Sequence, residues 1–554
     1  MKAAELVQGF CVPFRVICEG ENKMNILDKT IALINPQAGL KRIEARKRLD
    51  TAVNLFGGDS GYGKHGASYA KKSLMGWLTR GMDADADIVD SIETLRARSR
   101  DLYMGSPIAT GAIKTVRTNV VGSGLALAAK PDAAFLGMTE DQALEWKRAV
   151  EREWSLWAET VESDAERRQN FYQLQSLVIL SAIMSGDVFV TLPVIKRAGS
   201  VYDLRVGLIE ADRVCNPVNP PPPLNANILG GVEVGQYGEA LAYWVAKYNP
   251  NAFPRMTVQI QNEWKRVQAF GAKTGRRNVL HIMADVERPA QRRGVPMLAP
   301  VIESLKQLGR YSDAELMAAV VSAMFTVFVK SNSPQTPLGQ MFDPAMQIDK
   351  DPNAYELGNG AIVSLEEGEE IQIANPGRPN TAFDGFVSAL CRQIGTALEI
   401  PYEVLLKIFQ SSYSASRAAL LEFWKMIRMR REWITGSFCQ PVYEEWLTEA
   451  VLKGRVDAPG FFDDPAIKAA WCRADWYGDC QGQLDPLKEA NAAKVRVEEG
   501  FSTREREAAE QTGLKFDEIH AIRKREEAMR KADGLTPAAA QPVTAVPVKN
   551  GDDE

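Results

Sequence analysis

Phe383, Phe386, Leu390, Ile394 and Leu398 recur at steps of 3, 4, 4 and 4, which puts them on one face of an α-helix. Pro401 ends that helix near Ile400, because proline has no backbone N–H and pushes the residue before it out of the α region. A small, polar run follows, FQSSYSAS over 409–416. A long second helix then starts, with Ser412 or Ser414 as its N-cap. Helix, short loop and long helix thus organise the stretch from Gly377 to Trp433. It contains no nucleophile–base pair and no metal-ligand spacing. The segment reads as mechanical rather than catalytic.

At 554 residues the chain exceeds one ordinary core, so two or more packed regions are expected. A hydrophobic content of 45% with 25% charged residues is that of a soluble globular protein. The net charge of −5 argues against a protein that grips nucleic acid over its whole surface. It leaves room for one through which DNA slides. The cysteines at 11, 18, 215, 391, 439, 472 and 480 are scattered and never CxxC, which reads as reduced thiols in a cytosolic compartment. No run of about 18 apolar residues predicts a membrane span. Residues 1–23 are interrupted by Arg15 and Glu19 and carry no clean cleavage site; they read as a translation extension ahead of Met24 or as a disordered arm.

Residues 24–50 predict a basic, amphipathic helix. Gly58, Gly63 and Lys64 approach a phosphate-cradling loop, but His65 stands where Ser or Thr would hold Mg²⁺, so a flexible glycine loop is the better reading. Residues 87–121 predict two helices broken at Gly105-Ser106-Pro107. Arg96, Arg98 and Arg100 read as a solvated or subunit-contacting helix face rather than a DNA contact. Trp146, Trp154 and Trp157 form a stripe expected in a core or an interface. A helix over 171–186 runs into Gly186. The pattern then turns to period two, with strands in DVFVTLPVI, YDLRVGLIEADRV and EALAYWVAKY, a hairpin in VEVGQYGEALAYWVA and a buried strand in NVLHIM. His281, far in sequence from His65 and His520, reads as structural. The stripe from Leu298 to Val327 predicts one helix over 296–330, about 50 Å long, with a bend at Gly309. Residues 331–380 are loop-rich, with a hairpin and an acidic turn in AIVSLEEGEEIQI. The helix from Ala415 is expected to bend at Pro441 and end near Gly454. Cys472 and Cys480 have no partners that complete a zinc site. Charged helices fill 484–534, split at Gly500 and Gly513, with a capping box at Ser502 and Glu505. The Pro/Ala/Val-rich residues 535–554 predict a disordered tail.

Several of these segments together resemble the lambda-like portal proteins of tailed bacteriophages. They are LRARSRDLYMGSPIATGAIKTVRTNVVGSGL (95–125), GDVFVTL (186–192), the helix expected over 296–317, GAIVSLEEGEEIQIANPGRPN (360–380), IPYEVL (400–405), SSYSASRAALLEFW (411–424) and LDPLKEA (484–490). Each alone is weak; their number and order over about Met24 to Gly534 carry the resemblance. It implies an α+β portal fold assembled as a ring, typically of twelve subunits, at one capsid vertex of the virion. Assembly would take place in the host bacterial cytoplasm. The implied parts are an N-terminal wing region (24–295), stem helix 1 (296–330), clip (331–380), stem helix 2 (381–399), tunnel loop (400–416), wing helix and return (417–483) and crown (484–534). The implied partners are double-stranded DNA, held transiently and without sequence preference, the terminase large subunit, head–tail adaptors, and the major capsid and scaffolding proteins. No cofactor, metal, membrane or enzymatic activity is implied.

On this reading Lys407, Gln410, Ser411, Ser412 and Tyr413 meet DNA in the channel. Lys350, Asp351, Glu366 and Glu367 of the clip meet terminase or adaptors. The chemistry suits a conduit, since a channel crowded with cations would trap DNA, and here Lys407 stands among small polar side chains. The bland alternative is that 409–416 only caps the following helix. Two other functions compete: a nucleotide-using enzyme built on the Gly58–Lys64 loop, and a scaffolding or adaptor protein of the same particle.

Overall fold

The fold is that of a computed structural model. It describes residues 81–218, 227–250, 263–323, 327–331, 369–373, 383–409, 412–481, 486–513 and 515–535, with isolated positions in 37–79 and at 221. The chain divides into two units, Met1–Met82 and Asp83–Glu554. Few positions of the first unit are described, and all the elements named here belong to the second. The expected arm (1–23), glycine loop (Gly58–Lys64) and tail beyond 535 lie outside the described residues, as does most of the 24–50 helix.

Helix α1 is Ala84–Gly105, and Asp83 caps it by accepting the Ala86 N–H at 2.7 Å. Ser106 ends α1 and begins α2, Pro107–Val120, with Pro107 in the first turn, where its missing N–H is harmless. The predicted break stands where expected. Strand β1 is Ala126–Ala129. Helices α3 (Glu140–Ala158) and α4 (Phe171–Ser185) both open with capping boxes, Thr139 with Gln142 and Asn170 with Gln173. Strand β2 (Asp187–Thr191) pairs antiparallel with β3 (Gly207–Ile209) and later with β8. A four-stranded antiparallel meander follows, β4 (Ile228–Leu229), β5 (Val232–Val234), β6 (Ala240–Ala246) and β7 (Trp264–Gln268). Strand β8 is Val279–Met283.

The three tryptophans of α3 settle into the core. Trp154 packs within 5.0–5.7 Å, centroid to centroid, of Trp157, Phe171, Trp446 and Tyr443. These rings tie α3 and α4 to a C-terminal helix. Large apolar area is removed from water there, which is the chief force holding the elements together. A smaller core under the meander gathers Phe189, Val214, Val232 and Tyr243.

The long 296–330 helix is not observed. After a short turn at Ala299–Val301, helix α5 runs Ile302–Ala323, 22 residues. At 1.5 Å per residue it spans about 33 Å. It passes straight through Gly309. Val327–Ser331 is instead strand β9, paired antiparallel with β10, Glu369–Ile373. The sequence Val327-Phe328-Val329 is β-branched and aromatic, so its strand preference outweighs the helical stripe. The described partner of β10 is β9; the first arm and turn of the hairpin expected within AIVSLEEGEEIQI, residues 361–368, lie outside the described residues.

Helices α6 (Phe383–Ala397), α7 (Tyr402–Leu406) and α8 (Tyr413–Ile434) come next. One π-helical turn, Thr435–Cys439, joins α8 to α9, Gln440–Leu452. It absorbs Pro441, whose missing N–H breaks the regular ladder, so the predicted bend takes this form. Helix α10 is Pro465–Trp471, and strand β11 (Ala474–Tyr477) pairs with β1. Helices α11 (Pro486–Glu498), α12 (Arg504–Thr512) and α13 (Phe516–Ala532) are separated near Gly500 and Gly513 as expected. The cap of α12 is Thr503, which accepts the Arg506 N–H at 3.2 Å, one residue beyond the predicted Ser502. Helices are thus interspersed with small antiparallel sheets along the chain, an α+β fold.

Candidate functional site

The candidate site is the connection α6–α7–α8. Helix α6 stops at Ala397, and Glu399 turns the backbone left-handed (φ 57°). The Ile400 N–H donates to Gly395 O at 2.9 Å. A Cβ at Gly395 would lie 2.5 Å from the Ile400 carbonyl oxygen, so only glycine permits this fold-back. Pro401 then starts α7, a five-residue helix held down by buried Val404 and Leu405. Ser388 and Tyr402 share a hydrogen bond of 3.1 Å, and the Arg392 guanidinium sits 5.0 Å from the Tyr402 ring centroid. These contacts fix α7 against α6.

Lys407 closes α7 in the left-handed region (φ 57°), donating its backbone N–H to Glu403 O. A side chain there costs about 1–2 kcal/mol relative to glycine. Lys407 is exposed and has no acidic partner among the described residues. Beyond it Ile408 and Phe409 are also exposed, at 38% and 56%. Ser412 is the N-cap of α8; its Oγ accepts the Ala415 N–H at 3.4 Å. Tyr413 is the first residue of that helix. Gln410 and Ser411 lie outside the described residues, and so do Lys350, Asp351, Glu366 and Glu367. The structure therefore brings Lys407 and Ser412 to the two ends of one short loop. It adds Ile408 and Phe409, whose exposure no local pattern announces.

Helix α8 is anchored at its far end. Arg431 donates to the carbonyls of Val120 (2.9 Å), Asn119 (2.8 Å) and Asp479 (2.6 Å). The first two end α2, where a cation complements the helix dipole. Burial lowers the Arg431 pKa, against the opposing charge of Asp479.

The expected solvated arginine face of α1 is corrected. Arg96 is 2% exposed and belongs to a buried ionic centre around Asp187. Asp187 accepts from Arg96 Nη2 (2.8 Å), Arg293 Nε (2.7 Å) and Nη2 (3.1 Å), and the Gly294 N–H (3.1 Å). His281 Nε2 lies 3.2 Å from its carboxylate. Arg100 pairs with Asp212; Arg98 alone of the three stays exposed without a described partner. Burial pushes the Asp187 pKa up, yet Arg293 and Arg96 hold it well below the carboxylate range. Burial brings Arg96 down to about 10 and lowers His281 despite its bond to Asp187. Every oxygen of Asp187 is engaged, so it has no lone pair aimed at a substrate and does not act as a general base. His281 is the structural histidine expected. Asp187 heading an apolar strand was the available signal for this centre. No cluster of potential metal ligands occurs among the described residues, and no described helix is long and apolar enough to cross a membrane.

Comparison with known proteins identifies the family. Residues 70–431 match the model of the lambda family of phage portal proteins. The chain is 27% identical over 508 residues to portal protein B of Escherichia phage lambda, covering 88% of this chain and 92% of the relative. It is 26% identical over 518 residues to the portal protein of Escherichia phage N15, covering 90% and 94%. Among solved structures it is similar to a chain in the neck of an empty gene transfer agent particle computed with C6 symmetry, at 13% identity and a TM-score of 0.45, over 75% of this chain and 92% of the other. An HK97-family phage portal protein from Corynebacterium diphtheriae is also similar, at 12% identity and a TM-score of 0.30, over 66% and 93%.

Proposed function

Because this chain belongs to the lambda family of phage portal proteins, we propose that twelve copies close into a ring at one capsid vertex, through which double-stranded DNA enters and later leaves. The match across residues 70–431 carries this reading. In the ring α5 and α6 are the stem helices, the chain between them is the clip, the Ile400–Ser416 connection lines the channel, and α11–α13 form the crown. A separate terminase supplies the work, and the ring itself turns over no substrate. Terminase, and later head–tail adaptors, meet the clip, with Lys350, Asp351, Glu366 and Glu367 among the contacts. Major capsid and scaffolding proteins surround the ring during assembly in the host cytoplasm.

The local geometry of the α7–α8 connection supports a channel role. Lys407 is exposed at the end of a helix fixed by its neighbours, so it offers a positioned but solitary cation. One exposed charge per subunit gives weak phosphate contact that is readily broken. Ile408 and Phe409 beside it present apolar surface that cannot hydrogen-bond to a phosphate. DNA then slides rather than sticks. Lys407→Glu combined with Ser412→Asp tests the assignment. Aspartate keeps the cap of α8, so rings should still assemble while packaging or DNA retention falls. Normal packaging by this variant would refute DNA contact at the loop.

A further inference from the structure

A cleft of about 970 Å³ opens between α8, β11 and the α11–α12 pair. Arg417, Leu421 and Arg428 line it from α8, and Trp476 and Cys480 from the β11 side. Most charges in it are satisfied: Asp475 pairs with Lys130, Glu507 with Arg496 and Glu510 with Arg506. Arg417 and Arg428 are exposed and have no partner among the described residues. Leu421 beside them is 45% exposed. The α8 wall thus pairs apolar surface with unspent positive charge. Glu489 and Glu505 stand on the opposite wall, so the cleft favours an acidic group on its α8 side.

The same chain displays a surface of matching chemistry. The turn Glu498-Glu499-Gly500-Phe501 joins α11 to α12. Gly500 takes a left-handed conformation (φ 75°), and the Phe501 N–H closes the turn on Arg496 O at 2.8 Å. This aims Phe501 at solvent, 80% exposed. Glu499 is exposed without a described partner, and Glu498 has only a 3.8 Å pair with Lys494.

We propose that the Glu498–Phe501 turn of one copy seats in the α8 cleft of a second copy, with Phe501 against Leu421 and Trp476 and Glu499 at Arg428. The turn and the cleft are different surfaces, so the contact is head-to-tail, and such contacts close into rings when the rotation permits. This inference rests on the ring reading above and adds which surfaces meet. Exposed aromatics that seat in such pockets carry much of an interface's affinity, so Phe501→Ala should raise the concentration needed for assembly about tenfold.

The test uses the native Cys480 of the cleft. Full-length Phe501→Cys is oxidised under assembly conditions and run on a non-reducing denaturing gel, with wild type and Phe501→Cys/Cys480→Ser as controls. A ladder of covalent multimers in Phe501→Cys alone supports the contact. Ring-sized particles by light scattering with no ladder, or with only an intrachain disulfide, overturn it and leave the ring reading intact. Wild-type chain that stays monomeric overturns both. Charge exchange gives a second arm: assembly lost in Arg428→Glu and regained with added Glu499→Arg supports the contact. Equal assembly of both variants and wild type overturns it.

Discussion

Replacing Asp187 with asparagine keeps its volume and removes its charge. The carboxylate is fully buried and lies within 2.7–2.8 Å of two guanidiniums, those of Arg293 and Arg96. After the change Arg96 keeps the Ser185 carbonyl at 2.8 Å, and Asp212, at 3.8 Å, is its one remaining counter-charge among the described residues. Arg293 keeps only the carbonyls of Val214, Gly230 and Ala211. A buried ion pair broken from one side costs about 3–5 kcal/mol, since the remaining charge is stranded. That is a large share of a typical domain stability of about 5–15 kcal/mol. A chain of this size does not unfold in two states, so the loss is best read locally. Amide hydrogen exchange over α1 and β8 should quicken by roughly a hundred- to a few thousand-fold if opening of this region governs it. Arg98→Ala, on the exposed side of the same helix, should change stability by no more than about 0.5 kcal/mol. Exchange in Asp187→Asn within about threefold of wild type would refute the reasoning, because it would mean that the two arginines find other counter-charge.

The same contacts set further outcomes. Trp154→Ala removes the ring at the centre of the aromatic cluster and should cost about 3–5 kcal/mol of local stability, read as faster amide exchange over α3 and α4. Lys407→Gly relieves a left-handed backbone and should protect α7 slightly, by about 1 kcal/mol in hydrogen exchange, while removing the loop cation. His281 has a lowered folded pKa, so the unfolded chain binds its proton more readily; stability should be full above about pH 6.5 and fall as pH drops below it. Asp187 acts at more acid pH: its folded pKa is depressed, so its contribution holds above about pH 4 and is lost as pH falls through the folded value. His281→Gln should flatten the upper part of that profile in a pH series of melting curves.

Local signals in the sequence carried far. The Gly105-Ser106-Pro107 break, the capped end at Gly186, the VEVGQYGEALAYWVA hairpin and the 3.6-residue stripe of α6 all lie where their residues predict. What stayed hidden depends on distance or on competition. Strands β1 and β11 pair across about 350 residues, and at four residues each, ALAA and ADWY, they are too short to show an alternation that would reveal it. Helix α7 has five residues, too few for a period. In β9 an apolar stripe compatible with either element became a strand through its valines and phenylalanine. The Asp187 centre is built by Arg96, His281 and Arg293, nearly two hundred residues apart at the extremes, so each charge looks like a surface residue in its own window. In the candidate loop, the Ser412 cap and the stop at Pro401 were legible. The exposure of Ile408 and Phe409 was not, since it depends on how α7 is pinned to α6.

Class-averaged electron microscopy of the purified full-length chain, with mass from light scattering, tests the central claim most directly. The account predicts a closed ring of twelve copies with a central hole wide enough for duplex DNA. A monomer or a small compact oligomer without a channel, under every assembly condition tried, would contradict it.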